Sequence, residues 1–385
     1  MFPFFKSQKT PFSVGTIFQK NFLKKLSFEF TAGLIFLKVT IQNKNYRFML
    51  DTGAFSIVSP EIREKLFLQS EDEILQTLDA FGNYKESNVY KLPSLRIAGV
   101  EFNDFAVLVD DFMHTFPLSC LKFDGIIGYN FLQKVIITLD YQTNIIILSD
   151  SIVSKKGFTK IALKQTTSNA PSFSLQFKNR KLEVGLDTGK NDGLMINDTK
   201  LLEYFREQNY KHERTTGVFS SSINGVNQHS FIDSYEVKNF TIAKKVVIDS
   251  FVCNYEEYAQ NIVGNSFLKH FKIMIDIQKN ALYLQQQSDI KGILPKEFGF
   301  ITFWSEKDKL FISAIIQGSP AYDSKLKIGD RILAIDELDT HNFTQEDYCE
   351  YIFLKKKALV KTKIITILTI KRSSKLFQVS LSLKT

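Results

Sequence analysis

The sequence predicts a mainly β fold made of two repeated halves, followed by a smaller α+β unit of different character. Three observations support this prediction. The triplet Asp-Thr-Gly occurs twice, at 51–53 and 187–189, each time directly after an apolar strand. Many short alternating runs are separated by polar turns, and few segments have a helical period. The repeated pattern ends near residues 285–297, a polar stretch that resembles a linker.

The repeat is defined by its register. Asp51 and Asp187 are 136 positions apart, and the same offset relates Gly128 to Gly264. Each of these glycines closes an apolar-apolar-Gly segment that lies 77 positions after its aspartate. Each half therefore carries one carboxylate in a matched setting. If the two halves face each other, the two carboxylates meet.

The elements of the two halves follow from alternation and turn residues. Residues 1–29 are basic and aromatic without a clear period, and we expect an N-terminal extension with one edge strand near 26–30. In the predicted first lobe, 30–152, we expect strands at 35–41, 46–50, 92–97, 105–109, 135–139 and 144–148, a turn at 43–45 and a helix at 60–66. In the predicted second lobe, 153–288, we expect strands at 173–177 and 183–186, a turn at 178–180 and a helix at 199–208.

The last unit, predicted at 293–385, does not repeat the first two. It has strand-like runs at 298–303 and 309–316, then Gly-Ser-Pro-Ala at 318–321 and a Gly-Asp-Arg-Ile-Leu-Ala-Ile run at 329–335. A helix near 344–353 and strands at 363–370 and 376–383 close the chain.

Composition and length describe an ordinary globular protein. With 385 residues, 44% apolar and 23% charged, the chain is long enough for two or three domains. No apolar run reaches the roughly 18 residues typical of a membrane span, so no transmembrane span is expected. The N-terminus lacks the apolar run of a secretory signal, which predicts either a cytoplasmic protein or a start that is trimmed or wrongly placed.

The charged and metal-binding residue types exclude other classes. The formal net charge of +8 is dispersed along the chain, so we expect no nucleic-acid partner. The five histidines show no metal-ligand spacing, and neither a metal nor an organic cofactor is expected. Cys120, Cys253 and Cys349 are far apart in the sequence, and we expect buried free thiols and no disulfide framework.

Two carboxyl groups held close together can carry out general acid–base catalysis. One carboxylate takes a proton from an attacking water while the other, protonated, donates to a carbonyl oxygen. Like charges roughly 3 Å apart cannot both ionise, so the pair shares a proton. A glycine after each aspartate lets the backbone turn tightly enough for its N–H to reach the carboxylate. A threonine hydroxyl can bond across to the other loop.

Residues 30–287 resemble the aspartic proteases, each half being similar to a retropepsin-like lobe with apolar-apolar-Asp-Thr-Gly and a later apolar-apolar-Gly. The resemblance implies two duplicated acid-protease-like β-barrel lobes that form a bilobal cleft for peptide or protein substrates. It implies the following site residues: Asp51 and Asp187 as the catalytic pair, Thr52 and Thr188 as the grip between lobes, Gly53 and Gly189 in the active-site loops, and Gly128 and Gly264 behind them.

Two parts of this resemblance are less regular. A glycine-centred segment after Asp51 is predicted to be a flap over the cleft or an ordinary hairpin, and it contains Phe81, Gly82, Asn83 and Tyr84. Residues 216–220 occupy a similar place in the second half. After the glycine, the family usually has a small or hydroxyl-bearing residue. Ala54 fits this pattern and Lys190 does not.

Residues 293–385 resemble a PDZ domain through the two glycine-containing segments named above and through a segment that resembles a carboxylate-binding loop. That loop contains Phe298, Gly299 and Phe300. The resemblance implies capture of peptide C-termini by strand addition. The alternative is a module that only packs on the protease. Aspartic proteases with a C-terminal PDZ domain are familiar from bacteria, and many are exported, which conflicts with the missing signal.

Two functions remain open from the sequence. The first is an aspartic endopeptidase whose PDZ-like module recruits or regulates substrates. The second is a catalytically inactive protease fold that only binds peptides, which Lys190 favours. A serine or cysteine hydrolase is a poor third, since there is no Gly-x-Ser-x-Gly and no cysteine has a recognisable histidine partner.

Overall fold

The computed structural model describes residues 14–78, 84–112, 115–166, 170–217, 220–222, 225–227, 231–294, 297–355 and 364–383. Strands dominate these ranges, which confirms the mainly β prediction. No helix in the described part of the chain is both long and apolar enough to cross a membrane.

The first lobe is a twisted sheet that carries the first Asp-Thr-Gly. The elements up to the end of the first repeat are β1 Val14–Thr16, β2 Leu23–Ser27, β3 Glu29–Thr31, β4 Leu34–Ile41, β5 Lys44–Leu50, β6 Ile57–Val58, α1 Pro60–Lys65, β7 Ser70–Leu78, β8 Tyr84–Ile97, β9 Val100–Val109, a 3-10 turn Leu118–Leu121, β10 Gly125–Ile127, α2 Tyr129–Leu132, β11 Ile136–Asp140 and β12 Ile145–Ser149. The order in the sheet is β1-β9-β6-β10-β5-β4-β8-β7, and β3 also pairs with β4. We call β1 and β3 to β10 the first lobe.

The hairpin β4–β5 delivers the chain to Asp51. Phe36 pairs with Met49 across it. Its turn lies at Gln42 and Asn43, with φ of 46° and 63°, slightly earlier than the predicted 43–45. Two successive residues in the left-handed region match the twist of a tight hairpin, and asparagine tolerates that region well.

The second lobe repeats this arrangement. Its elements and those that follow it are β13 Thr159–Ala162, β14 Lys164–Gln165, β15 Pro171–Phe177, β16 Arg180–Leu186, β17 Leu194–Ile196, α3 Thr199–Glu207, β18 His212–Gly217, β19 Ser220–Ser222, β20 Gly225–Asn227, β21 Phe231–Ile242, β22 Val246–Tyr255, β23 Ile262–Val263, α4 Asn265–Leu268, β24 Phe271–Asp276 and β25 Ala281–Gln286. We call β14 to β23 the second lobe. Helix α3 starts where the side chain of Asp198 accepts from the Leu201 N–H at 2.7 Å, a typical N-cap.

A third sheet contains strands from both repeats and so connects the two lobes. Its order is β13-β25-β24-β11-β12-β2, so three adjacent strands of the second repeat lie beside two of the first, with the N-terminal β2 at one edge. Leu139 of β11 pairs with Ile273 of β24, and both are fully buried. One hydrophobic cluster runs through both lobes and this sheet. The relative position of the two Asp-Thr-Gly loops is therefore set by a continuous core.

The last unit has its own core. Its elements are β26 Phe300–Ser305, β27 Lys309–Ile316, α5 Pro320–Asp323, β28 Arg331–Ile335, β29 Leu338–Asp339, α6 Gln345–Glu350, a π-helical turn Tyr351–Lys355, β30 Ile365–Arg372 and β31 Lys375–Ser382. Trp304, Leu310 and Ile332 are among its buried residues. Buried Asp330 accepts two hydrogen bonds from the Arg372 guanidinium, each 2.6 Å.

This unit is joined to both lobes. Strand β27 pairs with β18 of the second lobe, with Thr216 opposite Ile315. A Cβ on Gly217 would lie 2.2 Å from the carbonyl oxygen of Ser313, so the close approach of these strands requires glycine there. In the predicted linker, Ile290 and Leu294 are buried, and the Leu294 N–H donates to Glu236 at 2.8 Å. The linker is therefore packed on the second lobe.

The prediction of three free thiols is wrong for two of them. Cys120 of the first lobe and Cys349 of α6 form a disulfide, with 5.3 Å between their Cα atoms. Cys253 is free and buried, as predicted. The pair is separated by 229 positions, and no local spacing signals a bond that depends on how two domains dock.

Candidate active site

The first Asp-Thr-Gly loop holds Asp51 by backbone groups. The Asp51 N–H donates to the carbonyl of Ile127 at 2.9 Å, where β5 and β10 run parallel. One carboxylate oxygen, Oδ1, accepts from the N–H groups of Gly53 at 2.9 Å and Ala54 at 3.0 Å. The side chain is thereby aimed by the tight turn that the glycine allows.

The second loop repeats this geometry with one difference. The Asp187 N–H donates to the carbonyl of Val263 at 3.0 Å, and Asp187 Oδ1 accepts from the Gly189 N–H at 2.8 Å. The N–H groups of Ala54 and Lys190 both donate to the backbone carbonyl of their aspartate, at 3.4 and 3.5 Å, but only that of Ala54 also donates to the carboxylate.

Two threonines lock the loops to each other with near two-fold symmetry. Thr52 Oγ1 donates to the Leu186 carbonyl at 2.6 Å and accepts from the Thr188 N–H at 3.0 Å. Thr188 Oγ1 donates to the Leu50 carbonyl at 2.8 Å and accepts from the Thr52 N–H at 3.1 Å. Both side chains are completely buried. Each hydroxyl thus binds the backbone of the opposite lobe.

The glycines bring each loop against the other lobe's carboxyl group. A Cβ on Gly189 would lie 2.2 Å from Cγ of Asp51, and a Cβ on Gly53 would lie 3.0 Å from Cγ of Asp187. The two carboxyl groups are half-buried and in hydrogen-bonding contact with each other. Any side chain at either glycine would push the pair apart.

The surroundings of the two carboxyl groups shift their pKa values through different neighbours. Burial and the nearby negative charge of Asp187 hold the pKa of Asp51 well above its usual value, against the hydrogen bonds from Gly53 and Ala54. Burial also raises the pKa of Asp187, but the positive charge of Lys190 and the Gly189 N–H oppose that rise. Both carboxyl groups therefore resist ionisation, and the positive charge of Lys190 favours the ionised form of Asp187.

Lys190 has a specific partner beside this pair. Its amine lies 3.1 Å from the carboxylate of Asp192, and its side chain is only 16% exposed. In the repeat register, Lys190 and Asp192 replace Ala54 and Ser56, so a charged pair stands where the first lobe has small neutral residues. The Asp192 charge acts on Asp187 in the opposite direction to that of Lys190.

Gly128 and Gly264 lie against the backs of the two loops. A Cβ on Gly128 would meet the carbonyl oxygen of Ala54 at 2.2 Å. On Gly264 it would meet the carbonyl oxygen of Lys190 at 2.7 Å. The residue after each glycine donates its N–H to the same carbonyl, at 2.8 Å in both lobes.

Sequence reasoning missed two buried asparagines that brace these loops. Asn130 accepts from the Ser56 N–H at 2.9 Å and donates to the Ala106 carbonyl at 2.9 Å. Asn265 donates to the Thr188 carbonyl at 2.6 Å and accepts from the Tyr141 hydroxyl at 2.7 Å. Polar residues inside an otherwise apolar Gly-x-x-Phe-Leu segment were the available signal, but they do not occupy equivalent positions in the repeat.

Other predicted residues lie elsewhere. Phe81, Gly82 and Asn83 fall outside the described residues, and Tyr84 begins strand β8. The predicted carboxylate-binding loop leads into β26, which begins at Phe300, and Gly299 has a φ of +83° and is packed on Ser319. No cluster of three or more histidine, cysteine, aspartate or glutamate residues that could hold a metal is present in the described parts.

Comparisons with known proteins give two family models and a similar solved structure. Residues 37–131 match the family model of the aspartyl proteases, and residues 287–361 match that of the PDZ domain. The fold is similar to the crystal structure of aspartic proteinase from Irpex lacteus, with a TM-score of 0.44 and 12% identity, over 69% of this chain and 98% of that one. No curated protein matches the chain. The chain contains an aspartic protease-like domain followed by a PDZ domain.

Replacing Thr52 with valine should destabilise the protein strongly. Valine keeps the shape but leaves the Leu186 carbonyl and the Thr188 N–H buried without the hydroxyl. Each such group costs about 1–3 kcal/mol. We expect a lower midpoint in urea unfolding. Thr52→Ser, which keeps the hydroxyl, is the matched control, and equal destabilisation by both substitutions would contradict a role for these hydrogen bonds.

Replacing Asp51 with asparagine should stabilise the fold at neutral pH. Since the folded-state pKa of Asp51 is raised, the folded protein keeps a proton that the unfolded chain loses above the usual pKa of 3.8. Wild-type stability therefore falls as pH rises from that value, and the asparagine variant escapes this fall. Thermal unfolding should show a higher midpoint for Asp51→Asn at pH 7 and a smaller difference at pH 3. A constant difference at both pH values would refute this account.

Proposed function

We propose that the protein is an aspartic endopeptidase that hydrolyses peptide bonds with a water activated between Asp51 and Asp187. One observation carries this proposal. Two carboxyl groups from two lobes are in hydrogen-bonding contact, and reciprocal bonds of Thr52 and Thr188 fix the loops that present them. A pair of acids kept together against their mutual repulsion is costly, and acid/base catalysis is the chemistry that uses it.

We assign the roles of general base and general acid from the positive charge of Lys190 beside Asp187. Asp187, the more easily ionised partner, takes a proton from water as the water oxygen attacks the peptide carbonyl carbon. Asp51, the protonated partner, donates its proton to the carbonyl oxygen. When the carbon–nitrogen bond breaks, the proton taken up by Asp187 passes to the leaving nitrogen. A hydroxyl of the tetrahedral intermediate returns its proton to Asp51, which restores the starting state of the pair. Titration of this pair belongs to both residues together.

Substrates of this site are peptides or proteins in extended form, lying in the cleft between the lobes. The PDZ domain is proposed to recruit peptides by their C-termini or to regulate their access. An inactive peptide-binding protein is the alternative, and Lys190 is the feature that favours it. Its amine is engaged by Asp192, and the two opposite charges act on Asp187 with opposite sign, which supports the enzyme.

The disulfide between Cys120 and Cys349 is an indication of the cellular compartment in which the protein works. Disulfides persist in oxidising environments such as the periplasm or the cell exterior. The bond between Cys120 and Cys349 therefore supports an exported protein over a cytoplasmic one.

Either Asp51→Asn or Asp187→Asn should abolish peptide cleavage. Loss of a positioned acid or base costs roughly 10²–10⁴-fold in rate. The measurement is cleavage of a random peptide library by mass spectrometry from pH 3 to 8. Asp249→Asn, a change at an exposed aspartate outside the cleft loops, is the control and should retain wild-type cleavage.

Two results would argue against the endopeptidase. Well-folded wild-type protein that cleaves no peptide at any pH would favour the inactive binding protein. Cleavage that survives both asparagine substitutions would place the catalytic groups elsewhere in the chain.

Charge changes beside Asp187 should move the pH profile of cleavage in opposite directions. Lys190→Met removes the charge that lowers the pKa of Asp187, so the acidic limb should move to higher pH. Asp192→Asn removes a charge that raises it, so the limb should move to lower pH. Initial rates under kcat/KM conditions measure both. Shifts in the same direction would show that the two charges do not act through Asp187.

A further inference from the structure

The PDZ domain has a defined place for an added peptide strand. In this mode of recognition a peptide pairs with the exposed edge of a strand. Strand β26 pairs with β27 on one side. Ile312 of β27 donates its N–H to the carbonyl of Asp330, on the side away from β26. Because Ile312 and Thr302 are antiparallel partners, Thr302 directs its own N–H and carbonyl away from β27 and toward α6. The Tyr348 hydroxyl of α6 meets the Thr302 carbonyl at 3.0 Å. The groove for a peptide therefore lies between β26 and α6.

One face of α6 and the turn after it is directed at the first lobe. Gln345, Cys349 and Phe353 follow each other at four-residue spacing, which places them on one helical face. Gln345 donates to Ser119 Oγ at 3.1 Å, and Cys349 is bonded to Cys120.

Phe353 extends this contact. It packs on the hydrophobic cluster of the first lobe that includes Phe55, which follows the Asp51 loop directly.

A phenylalanine of the first lobe spans both walls of the groove. The ring of Phe116 lies 5.1 Å from Phe303 and 5.6 Å from Trp304 of β26. It lies 5.4 Å from Tyr348 of α6. These are contact distances for aromatic pairs. Residues 115–121, which we call the cover segment, thus touch β26 and α6 together.

We propose that the cover segment occupies the peptide groove of the PDZ domain, and that reduction of the Cys120–Cys349 disulfide opens this groove to a peptide with a free C-terminal carboxylate. The occupant is part of the same chain, so it competes at the high effective concentration of a tethered ligand. The disulfide adds a covalent hold that no free peptide can displace.

Opening is a thiol–disulfide exchange. A dithiol reductant gives two electrons and two protons to the sulfur–sulfur bond, which yields the thiols of Cys120 and Cys349, and the reductant becomes a disulfide. The cover segment is then held by the Phe116 ring contacts and the Ser119–Gln345 hydrogen bond. A peptide of sufficient affinity can replace these.

The test measures peptide binding in the Asp51→Asn background, so that peptides are not cut and the result does not depend on catalysis. The probe is a fluorescein-labelled random hexapeptide pool with free C-terminal carboxylates, and an amidated pool tests carboxylate recognition. Fluorescence anisotropy is recorded for oxidised protein, for protein reduced with dithiothreitol, and for the variants Cys120→Ser/Cys349→Ser and Phe116→Ala. Cys253→Ala, which keeps the disulfide, is the matched control.

We expect binding of the carboxylate pool to be about 10-fold or more tighter after reduction or in the double serine variant, and unchanged by Cys253→Ala. The only tryptophan of the chain, Trp304, lies against Phe116, so its emission should also change on opening and should show the unfolded spectrum if a variant has failed to fold.

Two outcomes would overturn the proposal. Equal binding by the oxidised and opened forms would mean that the cover segment does not close the groove. Absence of binding in folded, reduced protein, with Trp304 emission still native, would mean that no working peptide groove lies beneath it.

Discussion

The structure depends on the exchange of hydrogen bonds between the two Asp-Thr-Gly loops. Thr52 and Thr188 each donate to a carbonyl of the other lobe and accept from the other threonine's N–H. Because all of these groups are buried, none has water as a substitute partner. If the lobes separated or slid, several buried polar groups would lose their hydrogen-bond partners at once. This rigidity is what allows two carboxyl groups to remain in contact despite burial and like charge.

The symmetry of that scaffold is broken beside the two carboxyl groups. Both loops present an aspartate in nearly the same way, but the first is followed by a small neutral residue and the second by Lys190 and its partner Asp192. The added charges favour ionisation of one member of the pair over the other. A duplicated fold supplies matched positions, and a local charge difference distinguishes the two carboxyl groups.

The PDZ domain is built into the protease-like part. Strand β27 continues the sheet of the second lobe, and α6 is linked to the first lobe by the disulfide and by the cover segment. It therefore bridges both sides of the molecule. The proposed change in what occupies its groove would act on elements in contact with both lobes, and on this contact we base the proposal of regulation by peptide or by redox state.

The sequence by itself determined the repeat, the strands that lead to Asp51 and Asp187, and the two domain resemblances, because these follow from local periodicity and spacing. It did not reveal the disulfide, the bracing by Asn130 and Asn265, or the partner of Lys190. It also treated residues 285–297 as a linker, whereas Ile290 and Leu294 are buried. These features depend on contacts between segments far apart in the sequence, or on which way a side chain turns, and only the packed tertiary structure decides them.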